Sequence, residues 1–229
     1  MKLTWLGHSA CHLAVDGKSV LVDPFFSGNP KFPNDFETGL EKVDIIMLTH
    51  GHADHLGDSL RLAKAFDATV VAMFEICAYL GAQGLEKTEP MNIGGTIDCG
   101  GLSVSMVNAL HSSAVVEDGK PVTMGNPAGL VIKSSGKTVY HAGDTELFSD
   151  MALIQRIHQP KIGLIPIGDR FTMGAETAAM ACNEFLDLET IIPVHWGTFD
   201  LLTGDPETFK SLVTRGTVLT PDPGAAIEL

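Results

Sequence analysis

The stretch His50-Gly51-His52-Ala53-Asp54-His55 places three histidines and a carboxylate within six residues. It follows Asp44–Thr49 (DIIMLT), a nearly continuous apolar run that is typical of a strand buried on both faces. It precedes Asp58–Phe66, whose apolar spacing predicts a helix. The polar cluster therefore lies at the turn from a buried strand into a helix.

The spacing of these side chains suits metal binding. On an extended stretch, His50 and His52 project to the same side and can share one ion. Asp54 and His55 come at the turn beyond, where they can reach a neighbouring ion. Neutral imidazole and carboxylate are the ligands of zinc, manganese, iron or nickel. The competing interpretation is a polar helix cap with solvent-facing histidines, but a chance match to this pattern has a probability on the order of one in a thousand.

Short apolar runs bounded by Gly, Pro, Asn and Asp recur along the chain and dominate its first part. They predict strands at Lys2–Leu6, Cys11–Val15, Ser19–Val22, Ala68–Met73, Ile97–Asp98, Leu102–Asn108, Ala128–Lys133, Thr138–His141, Ile162–Ile167 and Thr190–Val194. Helical spacing predicts helices at Phe74–Gln83, Leu147–His158 and Ala175–Leu186, and a final helix and strand are expected to complete the chain. Two similar halves, approximately 1–120 and 121–229, each place strands before helices, which predicts an α/β fold, an αβ/βα sandwich in one domain of residues 1–229.

Composition narrows the classes of function. The 229 residues are 45% hydrophobic and 19% charged, which is typical of a globular protein. A net charge of −13 repels phosphate backbones and anionic lipid surfaces, so we expect neither a nucleic-acid nor a membrane partner. The opening residues lack the uninterrupted apolar core of a signal peptide, and the four cysteines are scattered without a C-x-x-C pair. We therefore expect a cytoplasmic protein with reduced thiols.

The motif His50-x-His52-x-Asp54-His55 resembles the signature of the metallo-β-lactamase superfamily, and the resemblance extends over the whole chain. The remaining positions of that family's pattern occur in order, at Asp23 (LVDP), His111 (NALHSS), Asp144 (YHAGDT) and His195 (IIPVHWG). The resemblance implies a four-layer sandwich of two mixed sheets with helices on the outer faces. It also implies two metal ions, the first held by His50, His52 and His111 and the second by Asp54, His55 and His195, with Asp144 bridging both.

Such a site implies a hydrolase. Two divalent ions, with zinc as the first choice and manganese, nickel or iron as alternatives, make a nucleophile from water and polarise the bond that is attacked. Asp144 and Asp54 are the expected catalytic carboxylates, since one holds the ions together and the other can orient the water. The expected substrate is a small-molecule ester, lactone or phosphoester. A mononuclear-iron oxygenase of the persulfide dioxygenase kind and a non-catalytic metal-binding protein remain alternatives, and a homo-oligomer stays open.

Three other stretches are similar to a narrower bacterial and archaeal branch that is known as metal-dependent hydrolases, and more distantly to the ascorbate-phosphate lactonase group. They are WLGHSACHL at 5–13, GNPAG at 125–129 and IPIGDRFTMG at 165–174. The candidates for supporting the ligands or binding substrate are Asp23, His8, Asn126, His141, Asp169 and Arg170. Asp23 is expected to accept a hydrogen bond from a ligand histidine. Arg170 either holds a substrate carboxylate or phosphate, or buttresses its loop through Asp169.

Overall fold

The structure, a computed structural model, describes residues 1–134 and 136–229. Numbered in chain order, the strands of this part are β1 (Lys2–Trp5), β2 (Cys11–Val15), β3 (Lys18–Val22), β4 (Ile45–Met47), β5 (Thr69–Met73), β6 (Thr88–Met91), β7 (Thr96–Asp98), β8 (Ser103–Asn108), β9 (Ala114–Glu117), β10 (Lys120–Thr123), β11 (Ala128–Ser134), β12 (Lys137–His141), β13 (Ile162–Pro166), β14 (Thr190–Val194), β15 (Thr217–Val218) and β16 (Ala226–Glu228). The α-helices are α1 (Ala53–Leu56), α2 (Ser59–Phe66), α3 (Phe74–Ala82), α4 (Met151–His158), α5 (Ala175–Met180) and α6 (Pro206–Leu212).

The chain folds into two compact units that interleave along the sequence. Unit 1 comprises Met1–Asn92, Ser112–Pro127 and Pro221–Leu229, and unit 2 comprises Ile93–His111 and Ala128–Thr220. The strands β7 and β8, although they lie in the first half of the sequence, belong to the sheet of unit 2. A single domain of residues 1–229 built from two sequential halves stays a prediction.

Each unit contains one seven-stranded mixed sheet. The order in unit 1 is β16-β1-β2-β3-β4-β5-β6, with antiparallel pairs from β16 to β3 and parallel pairs from β3 to β6. In unit 2 the order from the opposite end is β7-β8-β11-β12-β13-β14-β15, antiparallel from β7 to β12 and parallel from β12 to β15. The two mixed sheets that the sequence predicts are therefore confirmed, and the same succession of pairings occurs in both.

Strand direction decides where the polar loops of unit 1 lie. β1 and β3 are both antiparallel to β2, and β3 is parallel to β4, so these three strands point the same way. Their carboxyl ends consequently meet at one edge of the sheet. The residues that follow those ends include His8 after β1, Asp23 after β3 and His50 after β4. The topology thus brings together residues that are far apart in sequence.

The same argument holds within unit 2. β8 and β12 are both antiparallel to β11, and β12, β13 and β14 are mutually parallel. His111, Asp144 and His195 follow the carboxyl ends of β8, β12 and β14, and the segment 168–174 follows β13. One edge of this sheet therefore carries all three metal-ligand candidates of the unit.

Apolar packing holds these edges in place. β13 is buried along its whole length, as its continuous apolar sequence predicts. In unit 2 the buried core includes Tyr140, Ile165 and Phe209. In unit 1, α2 packs on β4 and β5, and α3 packs on β5 and β6. Among the described residues, no helix is both long enough and apolar enough to cross a membrane.

The structure departs from the predicted elements at a few places. The helix expected from Leu147 begins at Met151, after the residues Ser149 and Asp150, which favour helix starts. The helix expected over Ala175–Leu186 is α5 followed by a π-helical turn at Ala181–Phe185. The strands β6, β9 and β10 were not predicted, because they are largely exposed and two of them contain proline, which is depleted in central strands.

Candidate metal centre

The loop that carries the histidine-rich motif is shaped by two glycines. A Cβ on Gly51 would lie 2.3 Å from Cβ of Met124, and the Gly51 N–H donates to Oγ of Ser113 at 3.0 Å. Gly57 ends α1 with φ of 44°, and a Cβ there would lie 2.5 Å from the carbonyl oxygen of Pro24. Neither position has room for a Cβ atom, so the motif can only take this path with glycine.

Asp23 lies beneath this loop and fixes the orientation of His55. Both side chains are fully buried, and Nδ1 of His55 lies 2.8 Å from Oδ2 of Asp23. An ionised carboxylate can only accept, so the proton of the imidazole is on Nδ1. Nε2 of His55 then carries the lone pair that a metal ion requires. This is the carboxylate–histidine arrangement that supports metal ligands in many proteins.

The same aspartate orients His50 through Thr49. The Thr49 hydroxyl donates to Oδ2 of Asp23 at 2.6 Å, and the Thr49 N–H donates to Oδ1 at 2.8 Å. Because the single hydroxyl proton is used there, Thr49 Oγ1 accepts from Nδ1 of His50 at 3.0 Å. Nε2 of His50 therefore also carries a lone pair. Sequence reasoning missed Thr49, although its place between the buried strand and His50 is a usable signal.

His50 and His52 present adjacent nitrogen atoms. Nε2 of His50 and Nδ1 of His52 lie 3.0 Å apart, as expected of two ligands that share an ion. The other nitrogen of His52 lies 3.2 Å from Oγ of Ser112. The two residues are two positions apart on an extended stretch, which places both imidazoles on the same side of the loop.

His8 and Asp54 form a second pair in unit 1. Nε2 of His8 lies 2.9 Å from Oδ2 of Asp54. The His8 side chain is fully buried, whereas that of Asp54 is 33% exposed. Possible ligand atoms of His8, Asp54 and His55 all lie within 4.8 Å of one another. The three side chains therefore form a compact polar cluster at the edge of the sheet.

Unit 2 gathers His111, Asp144 and His195. Oδ2 of Asp144 lies 3.0 Å from Nε2 of His195 and 3.5 Å from Nε2 of His111. Asp144 and His195 are both 2% exposed as side chains. A hydrogen bond joins the loops of His111 and Asp144, since the Leu110 N–H donates to Oγ1 of Thr145 at 3.0 Å.

The remaining candidates are divided between the two units. In unit 2, Nδ1 of His141 accepts from the Gly143 N–H at 3.1 Å, which braces the turn before Asp144. The segment 168–174 touches the loops of two candidate ligands, His195 and Asp144. A Cβ on Gly168 would lie 2.2 Å from the carbonyl oxygen of His195, and the Met173 N–H donates to the Thr145 carbonyl at 3.1 Å. In unit 1, Asn126 is exposed.

Arg170 and Asp169 belong to this segment but do not pair with each other among the described residues. Oδ2 of Asp169 accepts from Oγ1 of Thr203 at 3.1 Å. The Arg170 guanidinium is exposed and lies 5.8 Å from the centre of the Phe171 ring. The buttressing of the loop is thus carried by Asp169 and Thr203, and Arg170 remains at the surface.

The three buried thiols are poor candidates for metal ligands. All four cysteines are free, and Cys11, Cys77 and Cys182 are buried. Burial raises the pKa of Cys77 to about 11 and of Cys182 to about 12. Burial, with a smaller contribution from the charge of Asp23, also raises the pKa of Cys11. Because the thiolate is the form that binds metal, imidazole and carboxylate remain the donors.

The donor set of each unit fits divalent ions. Unit 1 offers three histidines and one carboxylate, and hydrogen bonding leaves the lone pairs of His50 and His55 on the nitrogens that do not contact Thr49 or Asp23. Unit 2 offers two histidines and a buried carboxylate. These donors suit zinc and first-row transition metals better than magnesium or calcium, which prefer oxygen.

Comparison with known proteins agrees with this chemistry. Residues 18–196 match the family described as the beta-lactamase superfamily domain. A UPF0173 metal-dependent hydrolase of Chelativorans sp. is 50% identical over 236 residues and covers all of both chains. One from Methylocella silvestris is 51% identical over 210 residues, covering 91% of this chain and 90% of the relative.

Comparison with a solved structure supports the same fold family. Igni18, described as a novel metallo hydrolase from the archaeon Ignicoccus hospitalis, matches with a TM-score of 0.88 and 36% identity, covering 100% of this chain and 98% of that chain. The predicted α/β class, the metallo-β-lactamase fold, is therefore confirmed. The chain belongs to the β-lactamase superfamily and, within it, to the UPF0173 family of metal-dependent hydrolases.

Proposed function

We propose that this protein hydrolyses a small-molecule ester, lactone or phosphoester with two divalent metal ions, zinc being the first choice. The observation that carries the proposal is the fixed tautomers of His50 and His55, because both rings are hydrogen-bonded so that Nε2 can bind metal. Following the family's arrangement, His50, His52 and His111 would hold one ion and Asp54, His55 and His195 the other, with Asp144 between them.

When bound, two such ions supply a hydroxide near neutral pH and stabilise the negative charge that develops on the attacked group. The carboxylates of Asp54 and Asp144 would balance two of the four positive charges of such a pair of ions, and the remaining charge would favour an anionic oxygen on the substrate. Asp54 is partly exposed and can accept a hydrogen bond from the attacking water, which orients it. Asp144, nearly fully buried, keeps its position through its contact with His195.

Arg170 supports a substrate that carries a carboxylate or phosphate. Its guanidinium is exposed on a segment that packs against the His195 loop. It makes no ion pair with a carboxylate among the residues that the structure describes, so it is available for a bidentate contact with an anion. Asp169 holds the loop through Thr203, and Asn126 and His141 are further candidates for contacts with substrate or ligands.

The free, mostly buried thiols support a reducing compartment, and we infer the cytoplasm as the location. The acidic character of the chain supports a small-molecule substrate rather than a nucleic acid or membrane partner. A homo-oligomer is compatible with the proposal.

The test is metal analysis followed by a substrate panel. Protein purified without chelator is expected to contain close to two metal ions per chain and to turn over one class among phosphodiesters, phosphomonoesters, lactones and thioesters. His50→Ala and Asp144→Ala should lose this turnover by at least about 10²-fold, since each removes a ligand. His158→Ala, which removes a histidine at the end of α4, should leave turnover unchanged.

Two outcomes would contradict the proposal. A single iron per chain with no hydrolysis of any ester would favour the oxygenase alternative. Failure to bind zinc, manganese, nickel or iron after reconstitution would remove the metal centre altogether.

A further inference from the structure

His8 occupies a tight turn that is built to hold it. It follows β1 and has a backbone φ of 55°, a left-handed conformation that residues other than glycine rarely adopt. The turn is closed by the Leu6 N–H, which donates to the Ala10 carbonyl at 2.9 Å, and by Nε1 of Trp5, which donates to the His8 carbonyl at 2.9 Å. A strained conformation that its surroundings enforce is a mark of functional positions.

Aromatic neighbours fix the direction of the His8 ring. Its centroid lies 5.7 Å from that of Phe25 at an interplanar angle of 75°, and 5.6 Å from that of His55 at 65°. Both are edge-to-face arrangements, which aromatic pairs favour. With the side chain fully buried, the ring has little freedom to turn away from the polar edge of the sheet.

The hydrogen bond to Asp54 identifies the chemical role of the ring. Nε2 of His8 lies 2.9 Å from Oδ2 of Asp54, and an ionised carboxylate oxygen only accepts. Nε2 must therefore carry the proton, and a protonated nitrogen has no lone pair for a metal ion. His8 is thus a donor to the carboxylate rather than an additional ligand at that nitrogen.

We propose that His8 is a positioning residue that holds one oxygen of Asp54 and leaves the other oxygen directed to the metal ion. Asp54 belongs to the four-residue helix α1 and is 33% exposed, so without a fixed partner its side chain would lose rotamer entropy on binding the ion. His8 reduces that loss, because it is itself immobilised by the turn and by Phe25. This inference rests on the proposed function, since it assumes that Asp54 binds metal.

The first experiment measures metal affinity, not turnover. Co²⁺ is titrated into the chelator-stripped protein, with its absorption spectrum recorded at each addition. His8→Phe keeps an aromatic ring without the N–H, and we expect the weaker-binding Co²⁺ equivalent to lose about 10-fold in affinity with an altered spectrum. His8→Gln keeps an N–H donor and should restore the affinity to within about 3-fold of wild type. His12→Gln, a histidine in β2 that contacts Ser19, is the matched control and should change neither.

The second experiment uses the wild-type protein and so does not depend on the folding of a variant. In the Zn²⁺-loaded protein, ¹⁵N imidazole shifts are expected to show His8 protonated at Nε2. Unchanged Co²⁺ affinity and spectrum in His8→Phe would overturn the inference. So would a metal-bound Nε2 in the wild type, which would make His8 a ligand. If the wild type binds neither Co²⁺ nor Zn²⁺, the proposed function fails and this inference fails with it.

Discussion

At the scale of single residues, Asp23 orients two of the candidate ligands, His50 and His55, although it is not itself a candidate ligand. Its two oxygens accept from the Thr49 N–H, the Thr49 hydroxyl and Nδ1 of His55. It also lies in the left-handed region, with φ of 46°. One buried carboxylate thereby determines the tautomers of two histidines, His55 directly and His50 through Thr49.

Replacing Asp23 by Asn should therefore weaken metal binding without touching a ligand. The amide keeps the shape of the side chain but presents N–H groups where two donors already point, so His55 loses its fixed tautomer. We expect zinc affinity to fall about 10- to 100-fold, measured by competition with a chromogenic chelator. Asp44→Asn, which removes a carboxylate that accepts from the Ser19 N–H, serves as the control. Equal affinity of Asp23→Asn and wild type would contradict this role.

At the scale of elements, the candidate residues lie on loops whose paths are set by strand ends and by glycine. Strands with continuous apolar runs were predicted to within one or two residues, as for β5 at Thr69–Met73 and β14 at Thr190–Val194. The hairpin of β9 and β10 was not predicted, because its strands bury few apolar side chains. The two strands are held by pairing with each other rather than by burial in the core. Periodicity reports burial, so exposed strands leave little trace in the sequence.

Gly57 provides a test of the loop geometry. Gly57→Ala adds a methyl group that meets the Pro24 carbonyl at 2.5 Å, in addition to the cost of a positive φ. Gly17→Ala, at φ of 74° with nothing within 4 Å, carries the conformational cost alone. In urea unfolding we expect Gly17→Ala to cost about 1 kcal/mol and Gly57→Ala about 2–4 kcal/mol. Equal losses of unfolding free energy in the two variants would show that the contact between the added methyl group and the Pro24 carbonyl relaxes without penalty.

Strand β2 carries a pH-dependent contribution to stability. Burial, with a smaller effect of Lys2, lowers the pKa of His12 from 6.5 to about 4. Between these values the unfolded chain binds a proton at this position that the folded chain does not, so this contribution makes the protein less stable as the pH falls. His12→Gln should lose less stability than wild type between pH 7 and pH 5 in urea unfolding. If the unfolding free energies of His12→Gln and wild type fell in parallel over this pH range, the lowered pKa of His12 would be contradicted.

At the scale of the whole molecule, metal binding and folding should be linked. Ions that bind only the folded chain stabilise it by mass action, by about 2.7 kcal/mol when their free concentration is 100 times the dissociation constant. For a chain of this size, that corresponds to an increase in Tm of about 5–10 °C.

Calorimetry of the chelator-stripped protein checks this linkage. Adding Zn²⁺ should raise the Tm by that amount, whereas Mg²⁺ at the same concentration should leave it unchanged, because imidazole ligands suit Mg²⁺ poorly. The Asp144→Ala variant should respond less to Zn²⁺ than the wild type. Identical melting with and without Zn²⁺ would count against a metal centre of useful affinity.

The sequence by itself predicted the fold class from apolar periodicity and the family from the resemblance carried by His50-x-His52-x-Asp54-His55, because both patterns are local properties of the chain. Only the tertiary structure decided which sheet β7 and β8 join and which ring nitrogen of His50 and His55 carries the proton. The contacts concerned join residues 46 positions apart for His8 and Asp54, and 32 apart for Asp23 and His55. Such partners are set by strand order and loop closure, which no local pattern encodes.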